Sequence, residues 1–370
     1  MKKTITLDNQ DFQFERYPLN SDLSLQAWDA ADEYLYEYIQ QQQNVESILI
    51  YNDSFGFLSL ALHNIHPLTV SDSACSHKAI TNNAELNSIT TQKICFPGEE
   101  SGLFDIIIFK MVKSLELLSY EISLASKVLK PGGEIILSGM SKHIHRSTIT
   151  LFEKHFQSVS TSLAKKKARL LFASDLRKKE SYQILKSFPI IQYKELTIAS
   201  YPGVFSFKKI DDGTQFLLET MTINPGIETV IDLGCGNGII GIYLAKYHDI
   251  KKLIFTDDSY LAITSAKENW NNTIQTSVEA DFLIEHSLQS MPDNSVDLVA
   301  TNPPYHQGFT NIMQIALSFF SDAYRVLKKG GELWIVANNH LGYFNALDIM
   351  YASVTKVAKN SNYTIYKAVK

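Results

Sequence analysis

Two segments in the second half of the chain have residue types and a spacing suited to chemistry. The first is Asp232-Leu233-Gly234-Cys235-Gly236-Asn237-Gly238, and the second, about sixty residues later, is Asn302-Pro303-Pro304-Tyr305. Alternating glycines permit positive φ angles and a close approach of the backbone to a ligand. An amide, two prolines and an aromatic ring can hold and stack a flat group that carries an amine. Together the segments predict a site that holds an adenosine-bearing cofactor beside an amine that is about to react.

The glycine-rich segment differs in two ways from a dinucleotide-binding turn. Its spacing is GxGxG rather than GxGxxG, and Asp232 occupies a strand end that is usually apolar in dinucleotide folds. A carboxylate there can accept from an ammonium group or orient the loop, which suits an amino-acid moiety better than a pyrophosphate. We therefore expect Asp232, Gly234, Cys235 and Gly236 to lie against the cofactor; the alternative is a turn with no ligand.

Three more residues are candidates for binding the nucleoside part of the cofactor. Asp257 ends the next predicted strand, where a carboxylate can accept both ribose hydroxyls, unless it only caps the helix that follows. Asp281 follows a predicted third strand, residues 277–280, and is placed to accept from the adenine amine. Phe282 is expected to lie against the adenine ring.

The second segment indicates methylation of a planar amine. The lone pair of such a nitrogen is delocalised, so the nitrogen must pyramidalise before it attacks a methyl sulfonium. The side-chain carbonyl of Asn302 and the backbone carbonyl of Pro303 can accept its N–H bonds, while Tyr305 stacks on the substrate. No strong base is required, because the nitrogen becomes cationic and then loses its proton easily. We predict Asn302, Pro303 and Tyr305 as catalytic residues, with Asn302 also bordering the cofactor; the alternative is a proline-rich turn.

Short apolar runs alternate with amphipathic segments along the chain, which predicts an α/β protein with parallel sheets covered on both faces. The order occurs twice, and in each copy a helix ends before a Gly-Gly turn and a strand, at 128–135 and 326–333. We therefore predict two tandem Rossmann-like domains, residues 1–185 and 186–370. Residues 201–206 and 211–214, which precede the second sheet, either cover the cofactor or only connect the domains.

The first copy lacks the residues that could do chemistry in the second. At the positions of Gly234, Cys235, Gly236, Asp257, Asn302 and Tyr305 it has Asn52, Asp53, Ser54, Ser71, Lys110 and Lys113. We therefore expect a degenerate domain that does not bind the cofactor and serves structure or RNA binding. The two lysines are compatible with phosphate contact, and equally with surface positions that are free to vary.

Composition limits the classes of function. The chain has 370 residues, of which 45% are hydrophobic and 20% charged, as in a soluble protein of about two domains. It has no apolar run of membrane-spanning length, and no apolar core of a signal peptide follows Met1, so we expect a cytoplasmic protein that does not contact membranes. Cys75, Cys95 and Cys235 form no CxxC pair, so we expect reduced thiols and no metal site.

The net charge is −5, so a nucleic-acid partner would require locally concentrated cations. From Lys165 to Lys194 the chain has seven lysines and two arginines against two acidic residues. This basic stretch predicts a contact with the phosphates of RNA, and the alternative is a solvated helix face with a linker.

These segments resemble class I S-adenosylmethionine-dependent methyltransferases that act on amines. More narrowly, the whole chain resembles the bacterial rRNA guanine-N2 methyltransferases with two tandem methyltransferase folds, and among them those of the large-subunit (23S) rRNA. Residues 202–206, 302–307 and 338–344 also carry the resemblance. It implies S-adenosyl-L-methionine held by Gly234, Gly236 and Asp257, a guanine amine on Asn302 and a base stacked on Tyr305. The family commonly has phenylalanine at the last position.

From the residues and the resemblance together we predict N2 methylation of a guanine in 23S rRNA by a monomer. The target base would be flipped out and held by the Asn-Pro-Pro-Tyr loop. Alternatives are guanine-N2 methylation of small-subunit (16S) rRNA, and methylation of adenine N6 or protein glutamine N5, where tyrosine is frequent at position 305. A non-catalytic RNA-binding assembly factor with a vestigial cofactor site is the alternative outside enzymes.

Overall fold

The computed structural model describes residues 3–18, 25–90, 93–177, 188–275, 277–304 and 312–370. The chain folds into two compact units, Met1–Ser187 and Phe188–Lys370. The first unit contains β1 (Thr4–Leu7), β2 (Gln10–Gln13), α1 (Ala30–Ile39), β3 (Ile48–Tyr51), α2 (Phe57–Ala61), β4 (Leu68–Val70), α3 (Ala74–Leu86), β5 (Lys93–Cys95), β6 (Phe104–Lys110), α4 (Leu115–Val128), β7 (Leu129–Met140), α5 (Arg146–His155), β8 (Phe156–Thr161) and β9 (Ala168–Leu176). The second contains β10 (Ile190–Tyr193), β11 (Leu196–Ala199), α6 (Asp212–Thr220), β12 (Thr229–Leu233), α7 (Ile239–Tyr247), β13 (Lys252–Asp257), α8 (Tyr260–Thr273), β14 (Glu279–Ile284), β15 (Val296–Thr301), α9 (Ile312–Val326), β16 (Leu327–Asn338), α10 (Phe344–Met350), β17 (Ser353–Lys359) and β18 (Tyr363–Val369).

Each unit is built on a seven-stranded sheet, and the two sheets have the same topology. Their strand orders are β5-β4-β3-β6-β7-β9-β8 and β14-β13-β12-β15-β16-β18-β17. The first four pairings in each order are parallel and the last two are antiparallel, as an α/β chain with a closing hairpin requires. The predicted fold class is therefore confirmed. The Gly-Gly pairs do not separate helix from strand as predicted; they lie inside β7 and β16, near the point where the pairing register shifts.

One glycine occupies the same turn in both units. Gly238 and Gly56 are the left-handed N-caps of α7 and α2, with φ angles of 81° and 80°. A Cβ on Gly238 would lie 2.9 Å from the Cβ of Ala266, and one on Gly56 would lie 3.2 Å from Cγ1 of Ile80. Glycine is required at both because the chain passes from strand to helix in a left-handed conformation against a neighbouring helix.

A buried asparagine ties the N-terminal hairpin of each unit to that turn. In the second unit, Asn269 accepts from the amide of Ala199 at 2.9 Å and donates to the carbonyls of Ala199 at 2.6 Å and Asn237 at 2.9 Å. Asn83 makes the same three bonds at the corresponding positions of the first unit. The duplication thus preserves a polar network that sequence periodicity did not reveal.

In the first unit a buried cluster of charges occupies the strand end that corresponds to Asn302. Lys110 lies 2.7 Å from a carboxylate oxygen of Asp32 and 3.7 Å from one of Asp53, and both aspartates are almost fully buried. Burial raises the pKa of Asp32 to about 6. Burial alone would lower the pKa of Lys110, but the two carboxylates outweigh it and raise that pKa. This lysine is therefore an internal counter-ion rather than a contact for phosphate.

The basic stretch is only partly described, since Lys178, Lys179 and Lys186 lie outside the described residues. In the first unit, Lys165 and Lys166 form a turn before β9 and pair with Glu37 and Glu33 of α1. In the second unit, Lys194 donates to the hydroxyl of Tyr243 at 2.9 Å. The stretch is thus divided between the units, and some of its charge is neutralised by acidic partners.

No helix among the described residues has the length and apolar character needed to cross a membrane. Within the same part of the chain, no group of three or more His, Cys, Asp or Glu side chains is arranged to hold a metal ion.

Candidate functional site

The pairing of three strands brings the main predicted site residues to one edge of the second sheet. Leu233 at the end of β12 pairs with Thr256 of β13 and with Thr301 of β15. Gly234, Asp257 and Asn302 each follow one of these residues directly. The carboxyl edge of a parallel sheet is where α/β proteins bind ligands, so the register alone places these three residues around one site.

The glycine loop is tied to β13 by its own amides. Gly234 and Gly236 have φ angles of 68° and 54°, so both need the left-handed conformation that glycine adopts easily. The amides of Gly234 and Cys235 donate to the carbonyl of Thr256 at 2.8 and 3.0 Å. The amide of Gly236 donates to Oδ2 of Asp257 at 2.9 Å. Three donors that would face a phosphate in a dinucleotide-binding loop therefore have internal acceptors.

The first turn of α7 is occupied in the same way. The amide of Ile239 donates to Oδ1 of Asn237 at 3.3 Å, and the amide of Gly241 donates to Oδ2 of Asp232 at 2.8 Å. Asp232 thus orients the loop and helix, which was one of its two predicted roles. Its Oδ1 is buried without a hydrogen-bond partner among the described residues, and burial raises the pKa of this carboxyl to about 8. Because the amides of Ile239 and Gly241 are engaged, this helix end is poorly suited to binding an anion.

The side chains of two further predicted cofactor residues differ in their ability to bind a ligand. Cys235 is buried in the apolar core, and burial raises the pKa of its thiol well above the ordinary value, so the thiol is no nucleophile. Asp257 accepts backbone amides on both oxygens, Gly236 on Oδ2 and Ser259 on Oδ1, each at 2.9 Å. Each carboxylate oxygen keeps a second lone pair, so Asp257 can still accept hydroxyl groups.

The predicted end of the third strand was wrong. β14 extends to Ile284, so Asp281 and Phe282 lie inside it, and Asp281 pairs in register with Ile254, three residues before the strand end at Asp257. At about 3.3 Å per residue this places Asp281 roughly 10 Å from the edge. Its carboxylate pairs with Lys252 at 2.7 Å. The Phe282 ring stacks in the core on Phe255, with a centroid distance of 5.0 Å, so neither side chain is at the edge.

Glu285 is the residue that follows β14 at the edge. Its amide donates to the carbonyl of Asp257 at 3.0 Å, which places the two residues side by side. Oε2 accepts from the amide of Ser290 at 3.0 Å, whereas Oε1 is buried without a partner among the described residues. A buried acceptor without a donor costs free energy unless a ligand supplies one. Glu285 was missed because the predicted strand stopped four residues too early.

Asn302 is held by a helix that the sequence did not connect with it. Its amide nitrogen donates to Oδ2 of Asp211 at 3.0 Å and to Oγ1 of Thr214 at 2.9 Å. Asp211 is the N-cap of α6, whose first turn contains Thr214. Residues 211–214 are therefore neither a lid nor only a connection. Pro303 is buried directly after Asn302, and Tyr305 lies outside the described residues.

The segment that contains Phe205 lies beside the glycine loop. A Cβ on Gly236 would be 3.9 Å from both the Cβ and the carbonyl oxygen of Phe205. The segment is anchored on α8, because the amide of Tyr201 donates to Ser265 at 2.9 Å and its hydroxyl to Glu268 at 3.0 Å. The Phe205 side chain is 49% exposed.

Comparison with known proteins identifies the family. Two family models match the chain, the RLMG N-terminal domain over residues 2–177 and the methyltransferase small domain over residues 195–367. The ribosomal RNA large subunit methyltransferase G of Vibrio vulnificus is 34% identical over 381 residues, which cover 100% of both chains. The protein of the same name from Aeromonas hydrophila is 36% identical over 96% of both chains. The chain belongs to the ribosomal RNA large subunit methyltransferase G family. It is an enzyme with a class I methyltransferase domain in its second half.

A solved structure supports the fold of this chain over its whole length. The 16S rRNA N2 G1207 methyltransferase (RsmC) of T. thermophilus, in complex with AdoMet and guanosine, has a TM-score of 0.78 and 19% sequence identity. The match covers 99% of this chain and 97% of that one. At this identity the likeness establishes only the fold of this chain. The predicted family relationship is confirmed by the relatives named above.

Proposed function

We propose that the protein transfers the methyl group of S-adenosyl-L-methionine to the exocyclic N2 amine of a guanine in large-subunit (23S) rRNA. The observation that carries this proposal is the Asn302 amide, fixed at the carboxyl edge of the sheet beside the glycine loop. The name of the methyltransferase G relatives supports the large-subunit substrate. The AdoMet and guanosine of the RsmC complex are the ligands that such a site would hold.

The residues at the edge fit the cofactor. The amides of Gly234, Cys235 and Gly236 have internal acceptors in place of a phosphate, as suits a ligand that has none. We propose that Asp257 accepts the ribose hydroxyls and that Oε1 of Glu285 accepts the adenine amine, in place of the role predicted for Asp281. Gly234, Gly236 and the backbone of Cys235 would border the cofactor, with Asp232 beneath them. The bound cofactor supplies a methyl group on a positively charged sulfur.

The residues of the second segment would act on the amine. Oδ1 of Asn302 and the carbonyl of Pro303 accept its N–H bonds, which concentrates electron density on the nitrogen and directs its lone pair. Tyr305 stacks on the flipped base. The methylated nitrogen then loses its proton to water. Asn302 would thus border both substrate and cofactor.

The identity of the methylated nucleoside tests this proposal. Purified protein is incubated with labelled S-adenosylmethionine and rRNA from cells that lack it, and the RNA is digested to nucleosides. We expect the label in N2-methylguanosine from large-subunit rRNA. Label in small-subunit rRNA, in N6-methyladenosine or in a protein would refute the proposed substrate, and absence of transfer would support an assembly factor.

The affinity for the cofactor is expected to fall as the pH drops through about 6. Burial raises the pKa of Asp257 to about 6, and protonation removes the charge that the ribose hydroxyls require. The carboxylate is ionised above this pH, so affinity is full there and falls about tenfold per pH unit below it. Calorimetric titration with S-adenosylmethionine between pH 5 and 7.5 measures the effect. Asp257→Asn should bind weakly and without this dependence; an unchanged profile in the variant would remove Asp257 from the ribose site.

We propose that the basic turn before β9 contacts RNA phosphates. Lys167 is exposed, and Lys165 and Lys166 can exchange their acidic partners for phosphate. Replacing all three with alanine is expected to lower RNA affinity and to reduce the slope of log K against log salt by up to about 0.7–0.9 per lost contact. Filter binding at several salt concentrations measures this, with Lys251→Ala as the control. An unchanged slope would place the RNA elsewhere.

We also propose a monomer, since the degenerate domain supplies a second surface within one chain.

A further inference from the structure

Two acceptors on α6 hold the side-chain nitrogen of Asn302. Oδ2 of Asp211 lies 3.0 Å from Nδ2, and Oγ1 of Thr214 lies 2.9 Å from it. The same Oδ2 accepts the amide of Thr214 at 2.9 Å, which is the N-cap bond of the helix. Thr214 is almost fully buried. The contact therefore joins a buried helix end to the strand end where the chemistry is proposed.

The hydrogen-bond partners decide which way the Asn302 amide faces. A carboxylate oxygen only accepts, so the atom beside Asp211 must be the amide nitrogen. The hydroxyl of Thr214 is oriented toward the same carboxylate, at 3.5 Å, which directs its lone pairs to Asn302. The amide is planar, so fixing its nitrogen also fixes the direction of Oδ1. Oδ1 has no hydrogen-bond partner among the described residues.

The first unit has an equivalent contact between a helix end and a strand end, made by an ion pair. Asp32 is the third residue of α1, as Thr214 is of α6, and each helix has an aspartate N-cap. Lys110 lies five residues after Asp105, as Asn302 lies five after Asp297, and these two aspartates accept equivalent backbone amides. Where one unit joins Thr214 to Asn302, the other joins Asp32 to Lys110 at 2.7 Å.

Both ends of this contact therefore differ between the units in a complementary way, a polar pair in one and an ion pair in the other. A helix end that only packed against the strand would not require matched changes. We propose that Asp211 and Thr214 are positioning residues, which hold the nitrogen of Asn302 so that its carbonyl oxygen faces the substrate amine. The inference rests on the proposed function, because it assigns the reason for the orientation of Asn302.

Two substitutions at Thr214 test the contact. Thr214→Val keeps the shape and loses the acceptor, whereas Thr214→Ser keeps the hydroxyl. In single-turnover assays with saturating cofactor, we expect Thr214→Val to slow methyl transfer about tenfold and Thr214→Ser by less than threefold. Cofactor and RNA affinities should stay within about threefold in both. Asp212→Asn, which changes an exposed carboxylate in the same helical turn, is the control and should transfer methyl at the normal rate.

An exchange of donor and acceptor gives a sharper test. Asn302→Asp alone places two carboxylates face to face and should slow transfer about 100-fold. Combined with Asp211→Asn, the repulsion between two charges is removed: the side-chain oxygen of the new asparagine keeps the amide of Thr214, and the hydroxyl of Thr214 can turn to donate to the new carboxylate, whose second oxygen then faces the substrate. Asparagine is also a good N-cap, so the helix is retained. We expect the double variant to recover at least tenfold over Asn302→Asp alone.

Thermal unfolding of each variant establishes that it is folded. The proposal is overturned if Thr214→Val matches Thr214→Ser in rate, or if the double variant is no faster than Asn302→Asp. Either result leaves methylation by the unaltered protein unaffected. Failure of the proposed function would instead appear as the absence of N2-methylguanosine from the unaltered protein.

Discussion

Replacing Asn302 with alanine is expected to slow methyl transfer to RNA by about 10²–10³-fold, the effect of removing one fixed polar group from a developing charge. The change removes the oxygen that would accept the amine hydrogen and leaves the loop and the cofactor residues in place. The hydrogen bonds of Asp257, Glu285 and the glycine loop described above do not involve this side chain, so cofactor affinity should change only a few-fold.

The measurement is the single-turnover rate at saturating cofactor, with the dissociation constant of the cofactor obtained by calorimetry. Asn362→Ala, in the exposed turn between β17 and β18, is a matched control and should have the normal rate. A rate for Asn302→Ala within threefold of normal would remove the amide from the mechanism. A large loss of cofactor affinity would show instead that Asn302 serves chiefly to bind it.

Replacing Lys110 with methionine is expected to destabilise the first unit by about 3–5 kcal/mol at neutral pH. The change leaves Asp32 and Asp53 buried without their cation. The pKa of Asp32 is already raised to about 6 and would rise further. A carboxyl whose pKa is raised on folding favours the folded state when it is protonated. The loss of stability should therefore be smaller at pH 5 than at pH 8.

Hydrogen exchange of β3 and β6 amides measures this stability within the two-domain chain, where global unfolding is not two-state. Lys113→Met, at an exposed position near the same strand end, is the control and should have little effect. Adding Asp32→Asn and Asp53→Asn to Lys110→Met should restore most of the stability. If Lys110→Met is as stable as the unaltered chain at pH 8, the cluster is not a stabilising ion pair.

General rules of α/β folds were sufficient to place three of the site residues. The apolar runs before Gly234, Asp257 and Asn302 predicted parallel strands, and the carboxyl ends of such strands meet at one edge. The strand-to-helix glycine turn and the duplicated order also follow from periodicity.

Strand boundaries and distant partners could not be predicted in this way. β14 is an edge strand, so Asp281 can lie inside it and pair with Lys252 on the neighbouring strand. The polar residue in the sequence therefore did not mark the end of this strand. Asp211 and Asn302 are separated by 91 residues, and Lys166 lies 133 residues from Glu33. No local pattern reports such contacts, because they arise only when separate elements pack together.

The closed amide network of the glycine loop has a consequence for competition in the cell. Most adenosine compounds there carry phosphates, and a loop with free amides would attract their negative charge. Here the amides of Gly234, Cys235, Gly236 and Gly241 already have acceptors, two of them carboxylates. ATP or NAD would meet two acidic side chains and few available donors in the loop, which favours the methyl donor over the other adenylates.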